Sequence, residues 1–284
     1  GQALGPSCWI AISRANRVIF AGDHQQLPPT VKSFEAEKRG LGKTLFEELI
    51  QNPRTSSMLT VQYRMHQQIM EFSSRKFYHG KLEAAHEVAY RSLPYDPVAL
   101  EFVDTAGCGF EERKDSSSLS TFNPEEAMLV LKHLAITLKK MQVEMPEVFE
   151  QELPDAEDVF DPGQLPISIG LIAPYKAQIQ RLQRGFLDSP MLADFEPYVS
   201  INTVDGFQGQ ERDVIYISLT RSNPKGEIGF LKNIRRMNVA LTRARKKLVV
   251  VGDSATLGSH PFYADFLSYV ENEGTYRTGW ELMD

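Results

Sequence analysis

The sequence predicts an α/β fold built on a parallel sheet with helices on both faces. Two observations carry that prediction. Short runs of apolar, often β-branched residues, such as 213–220 (DVIYISLT) and 247–252 (KLVVVG), read as strands buried on both faces. Segments with helical apolar spacing separate those runs, and such alternation is the pattern of a parallel sheet.

Taken in order, residues 17–23 (RVIFAGD) read as a short buried strand ending in a polar loop. Residues 44–51 look helical, and 58–61 form a second short strand. Residues 67–80 place Ile69, Met70, Phe72 and Phe77 at helical spacing, and 99–103 are a further strand. Asn123-Pro124-Glu125-Glu126 is a helix start: Asn caps, Pro takes the first helical position, and two Glu favour the positive helix end. That helix runs to about Met141. Residues 167–172 are a buried strand and 176–186 a helix. Residues 201–204 lead into a loop before the strand at 213–220. Residues 235–244 are helical, 247–252 form the last buried strand, and 260–274 are a terminal amphipathic helix. No internal repeat is visible.

Composition excludes several classes. The 284 residues are 42% hydrophobic and 24% charged, as in a soluble globular protein. No apolar run approaches the ~20 residues a membrane span needs, so no membrane partner is expected. The start, Gly1-Gln2-Ala3-Leu4, shows no signal peptide. Cys8 and Cys108 stand far apart and outside any Cys/His cluster, which argues against a disulfide framework or a metal site. A reducing compartment, cytoplasmic or nuclear, is the expectation. Net charge is -6, but 144–166 holds eight acidic residues and no Lys or Arg, so the rest is mildly basic. That stretch reads as a solvated surface loop; the functional alternative is an acidic arm that competes with nucleic acid for a basic channel.

In a parallel sheet, ligands bind at the carboxyl ends of strands. Four polar clusters fall at or near such ends: residues 22–29 (GDHQQLPP), 62–66 (QYRMH), 204–211 (VDGFQGQE) and 238–245 (NVALTRAR). Each alone is weak. Together they supply arginines, glutamines and an acid, which suit polyanion recognition. Arg offers a permanently charged fork for phosphate oxygens, and Gln senses a phosphate or water without adding charge. His24 and His66 lie inside these clusters without metal-ligand partners and read as local hydrogen-bonders.

In this order and at these separations, the four clusters resemble the superfamily 1 helicases of the nonsense-mediated-decay and immunoglobulin-mu-binding-protein type. The likeness extends over nearly the whole chain, through residues 225–231 (KGEIGFL) and 260–262 (HPF). It implies two RecA-like domains of the P-loop NTPase type with ATP between them: residues 1–57 would complete the first and 58–284 would be the second. It assigns Gln26 to γ-phosphate sensing, Arg64 to the same phosphate from the second domain, and Arg243 to the arginine finger. Tyr63 would lie near the adenine and Glu211 near the ribose, with Gln208 and Gly209 in the same nucleotide-binding loop. Pro174, Tyr175, Asn202 and Thr203 match segments that touch the strand backbone, where hydroxyls and N–H groups hold phosphate without reading sequence. Tyr175 would either stack a base or be buried.

The resemblance also implies ATP with Mg²⁺, a glycine-rich loop and an Asp-Glu pair. Gly1-Gln2-Ala3-Leu4 matches the residues just after the Ala of Asp-Glu-Ala-x-Gln, which puts those parts, and most Mg²⁺ ligands, upstream. The expectation is weak ATP binding and no turnover by these residues alone. Gly42-Lys43-Thr44 imitates the loop, but position 37 is Glu where the pattern needs Gly, and no apolar strand precedes it. The function expected is an ATP-dependent helicase or translocase on single-stranded RNA or DNA. The alternative is a non-catalytic nucleic-acid-binding or scaffold module with a relic RecA-like domain.

Overall fold

The computed structural model describes residues 3–29, 31, 33–150 and 165–283. Most of the acidic stretch at 144–166 therefore lies outside the described residues. The chain divides into two compact units, Gly1–Thr60 and Val61–Asp284.

The first unit holds helix α1 (Gly5–Ile12) and the short helix α2 (Leu45–Leu49). Thr44 and Glu47 close α2 with a capping box, each side chain meeting the other's backbone N–H. The strand expected at 17–23 does not form: Val18 is 39% and Ile19 88% exposed, and no strand occurs among the described residues of this unit. An apolar run becomes a strand only where a neighbour completes its backbone hydrogen bonds.

The second unit is a doubly covered sheet. Its strands are β3 (Leu100–Asp104), β4 (Ile169–Ala173), β5 (Val199–Thr203), β6 (Arg212–Ser218), β7 (Ala244–Gly252) and β8 (Thr275–Thr278). All pair in parallel, in the order β8-β3-β7-β6-β4-β5. A separate parallel pair joins β1 (Val61–Gln62) to β2 (Glu83–Ala84). Only the end of the strand expected at 58–61 is realised there, and Leu59 is 88% exposed.

Helices α4 (Pro124–Glu144) and α5 (Lys176–Leu187) cover one face. Their Leu134, Leu138 and Leu182 pack with Leu171, Val214, Tyr216, Val249 and Val251 from the strands. Alternate strand residues point the other way, toward α3 (Gln67–Phe77), α6 (Ile234–Leu241) and α7 (Pro261–Glu273). On that side Phe72 meets Phe262 and Phe266 edge to face at 5.3 and 5.0 Å, and Phe266 in turn meets Phe102 of β3 at 6.4 Å.

The sequence signal for α4 is realised: Asn123 Oδ1 accepts from Glu126 N at 3.0 Å, with Pro124 at the first position. Gln178 of α5 ties the sheet end together, accepting from Asn123 N at 2.8 Å and donating to Ser218 Oγ at 2.9 Å. Edge strand β8 was not visible in sequence, because Thr275–Thr278 is polar and partly exposed and shows no apolar run.

Candidate functional site

The loop after β1 carries Tyr63 and Arg64. Gln62 folds over it: its Oε1 accepts from Arg64 N and Met65 N, both at 2.8 Å, and its Nε2 donates to Met65 O at 2.9 Å. His66 then caps α3 by accepting from Gln68 N at 3.1 Å, and its own N–H donates to Arg245 O at 2.9 Å. That last bond pins the loop to β7. Burial holds the His66 imidazole below its ordinary pKa, which suits a neutral cap. His24 is also a local hydrogen-bonder, 2.9 Å from Gln25 Nε2.

The fold brings Arg64, Glu211 and Arg245 together from three elements. Glu211 ends the loop before β6 and receives Arg64 Nε on one oxygen and Arg245 Nε at 2.7 Å on the other. Burial alone would raise the Glu211 carboxyl, but the Arg245 and Arg64 guanidiniums outweigh it and hold it below its ordinary value. Arg64 Nη1 also donates to Thr242 O at 3.1 Å. Its Nη2 has no partner among the described residues, and the side chain is 33% exposed. Arg64 is thus a guanidinium fixed on two sides, on a side chain that is one third exposed. That arrangement fits an anion with several oxygens, such as a phosphate.

The loop between β5 and β6 is held from beneath. Phe207 is 1% exposed and anchors it in the core. It needs Gly170 opposite, where a Cβ would lie 2.8 Å from the ring. Arg243 is 2% exposed; it donates to Val239 O at 2.9 Å and Gln210 O at 3.0 Å. Arg212 donates to Glu211 O at 2.8 Å. Gly209 sits at φ +77°, where a Cβ-bearing residue is strained, and Gln208 beside it is partly buried. Arg243 therefore stands directly under the nucleotide-loop candidates, while Tyr63 is 69% exposed above β1.

Of the strand-contact candidates, Asn202 is exposed and Thr203 half-buried, at the carboxyl end of β5. Asn202 Oδ1 accepts from Thr203 N at 2.8 Å, and Thr203 Oγ1 accepts from Gly206 N at 3.3 Å. Pro174, after β4, is half-buried. Of the two readings of Tyr175 the structure shows the buried one: it is 5% exposed, with Phe230 stacked on it at 5.3 Å and 29°. Its hydroxyl accepts from Arg221 Nη1 at 3.3 Å and Phe230 N at 3.1 Å.

In the first unit, Gln26 Nε2 donates to Asp23 Oδ2 at 2.9 Å, and Asp23 Oδ1 accepts from Gln25 N at 2.8 Å. The Gly42-Lys43-Thr44 stretch has a structural use: Thr44 is 2% exposed and caps α2, and Lys43 pairs with Glu48 at 3.2 Å. Sequence reasoning did not find the roles of Gln62, Arg245 and Phe230. Gln62 and Arg245 lie inside quoted motifs, so proximity to Arg64 and Arg243 was the available signal.

A family model described as an AAA domain matches residues 41–255, and a second AAA-domain model matches residues 1–34. The chain belongs to the AAA domain family. Among curated relatives, DNA-binding protein SMUBP-2 of Mesocricetus auratus is 39% identical over 294 residues, covering 100% of this chain and 27% of that protein. DNA polymerase alpha-associated DNA helicase A of Saccharomyces cerevisiae is 39% identical over 90% of this chain and 37% of its own length. An uncharacterized ATP-dependent helicase of Methanocaldococcus jannaschii is 36% identical over 95% and 37%. The chain thus spans about a quarter to two fifths of the relatives it matches. The superfamily 1 helicase resemblance read from the four clusters is borne out by these matches. Among the described residues, no helix is long and apolar enough to cross a membrane.

Proposed function

We propose that this chain works in an ATP-driven helicase or translocase on single-stranded RNA or DNA, carrying the phosphate-sensing and arginine-finger side of the ATP site. The observation that carries this reading is Arg64. Glu211 and Thr242 O orient it, and among the described residues Nη2 meets no partner. A guanidinium held on two sides and partly exposed is prepared for an external anion.

In this reading residues 1–57 complete one RecA-like domain and 58–284 form the other. Gln26 reports the γ-phosphate from the first, and Arg64 from the second. Glu211, held ionised by its two arginines, serves the ribose, and exposed Tyr63 serves the adenine. Gln208 and Gly209 shape the nucleotide side of the loop that Arg243 holds from below. Arg243 reaches the phosphate by exchanging its bonds to Val239 O and Gln210 O for phosphate oxygens, which couples nucleotide state to the loop that follows Asn202 and Thr203. Bound Mg²⁺ would supply charge neutralisation at the phosphates; its ligands are expected outside these residues. The relatives' names place helicases and a DNA-binding protein in this family, and a cytoplasmic or nuclear workplace follows from that substrate.

The test is strand-stimulated ATPase activity of the full protein that carries this chain. Arg243→Ala should lower kcat by about 10³-fold, the scale of an arginine finger, while strand binding persists. Strand binding without any ATPase activity in the unaltered protein would favour the scaffold reading.

A further inference from the structure

Resting on the ATP-site reading above, we propose that Arg245 is a positioning residue for γ-phosphate recognition: it neutralises Glu211 and so leaves the charge of Arg64 to the phosphate. The cluster holds one carboxylate and two guanidiniums, each on its own carboxylate oxygen. Oε2 takes Arg64 Nε, and Oε1 takes Arg245 Nε at 2.7 Å and Arg245 Nη2 at 2.6 Å. Arg245 therefore grips Glu211 with two donors where Arg64 uses one.

Charge decides what Arg64 can do. Alone with Arg64, Glu211 would form a neutral pair with it, and such a pair attracts a phosphate weakly. Drawing Arg64 toward the phosphate would also strand a carboxylate that is only 30% exposed, which is costly. With Arg245 in place the trio carries one net positive charge, and Glu211 keeps a cation whatever Arg64 does. Burial pushes the Glu211 carboxyl up, and the Arg245 hydrogen bond is the largest single influence against it.

The main chain gives this place to Arg245 and not to its neighbours. The turn from α6 into β7 meets the Arg64 loop twice: Thr242 O accepts from Arg64 Nη1 at 3.1 Å, and Arg245 O accepts from His66 N at 2.9 Å. Those two bonds keep Arg64 and Arg245 on opposite oxygens of one carboxylate. The cations that follow answer other acids. Lys246 pairs with Asp213 at 3.1 Å and Lys247 with Asp96 at 2.7 Å. Lys246 is thus an equal charge one residue away whose ion pair is with a different carboxylate.

The experiment measures the affinity of the full protein for a non-hydrolysable ATP analogue and for ADP, unaltered and as Arg245→Ala, Arg245→Ala with Glu211→Gln, and Lys246→Ala. ADP shares the adenine and ribose but lacks the γ-phosphate, so the ratio of the two affinities isolates that phosphate, and ADP binding shows that the site is folded. Arg245→Ala should lower the ratio by about 5-fold or more, the lower end of coupling between sites. Adding Glu211→Gln removes the charge that then neutralises Arg64, and should return the ratio most of the way. A residue that only supports the fold is not rescued by a second lesion in its own cluster. Lys246→Ala should leave the ratio unchanged. An equal loss for analogue and ADP in Arg245→Ala, no recovery with Glu211→Gln, or the same loss in Lys246→Ala would overturn the proposal while leaving the ATP-site reading in place. An unaltered protein that binds the analogue no differently from ADP, or a ratio that survives Arg64→Ala, would overturn both.

Discussion

Two clusters in the second unit each gather cations around one glutamate, and they end in opposite conditions. Under the sheet, Glu101 is 4% exposed and takes Lys247 at 3.0 Å, while His133 lies 3.2 Å away. Lys247, itself 2% exposed, also reaches Asp96 at 2.7 Å and Val98 O at 3.3 Å, so all three ammonium donors are used. At the sheet's end, Glu211 gathers Arg64 and Arg245 but stays about a third exposed, and among the described residues one donor group of Arg64 meets no partner. The ingredients are alike. Closure makes the first a strut; in the proposed reading, incompleteness leaves the second open to an anion.

The largest effect should come from opening the closed cluster. Lys247→Ala leaves the buried Glu101 and the partly exposed Asp96 without their ammonium, which should cost ~3–5 kcal/mol in denaturant unfolding. The same cluster sets an acid limit. Burial alone would raise the Glu101 carboxyl, but His133 and Lys247 outweigh it and hold it at about 2, against an ordinary 4.5. A depressed carboxyl contributes stability above its unfolded pKa and loses it as pH falls through the folded one. The loss should therefore fall between pH 4.5 and about 2 and be smaller in the Lys247→Ala variant, where His133 alone of the two remains.

A smaller effect of opposite sign comes from Glu126, a fully buried carboxyl with few compensating partners. Its Oε1 accepts from Ser218 and from Thr220 N at 2.8 Å, where Thr220 sits at φ +73°. Its Oε2 has no partner. Burial pushes it up to about 8. Between 4.5 and about 8 the folded state keeps a proton that the unfolded chain releases, so this group costs stability increasingly as pH rises. Glu126→Gln keeps an acceptor for Ser218 and Thr220 and should raise the unfolding midpoint near pH 8 while leaving it nearly unchanged near pH 5. A gain of equal size at both pH values would contradict the assignment.

This contrast also marks what the sequence could show. Apolar runs located β3, β4, β6 and β7, and cap chemistry located α4, because those signals lie within a few residues. The run at 17–23 looked the same as theirs but is not a strand; pairing belongs to two segments and is invisible in one. Edge strand β8 lacked the apolar signal altogether. In the candidate site, the motifs named Arg64, Glu211 and Arg243 separately, but only the fold revealed that Arg64 and Glu211 touch and that Arg243 is tucked under Gln210. Tyr175 is the buried member of a stacked pair, and the exposed ring, Phe230, comes from a stretch with no motif chemistry.

The smallest stability effect should come from Arg64, and it is paired with the most specific functional one. Arg64→Ala removes an ion pair that is about a third exposed and should change unfolding stability by no more than about 1 kcal/mol. The decisive measurement is the ratio of affinities for a non-hydrolysable ATP analogue and for ADP in the full protein, with and without Arg64→Ala. If Arg64 reads the γ-phosphate, the variant should lose about 10-fold or more in affinity for the analogue and keep its affinity for ADP. An unchanged ratio would contradict the account, and would mean that the open cluster, like the closed one, serves only to hold the fold.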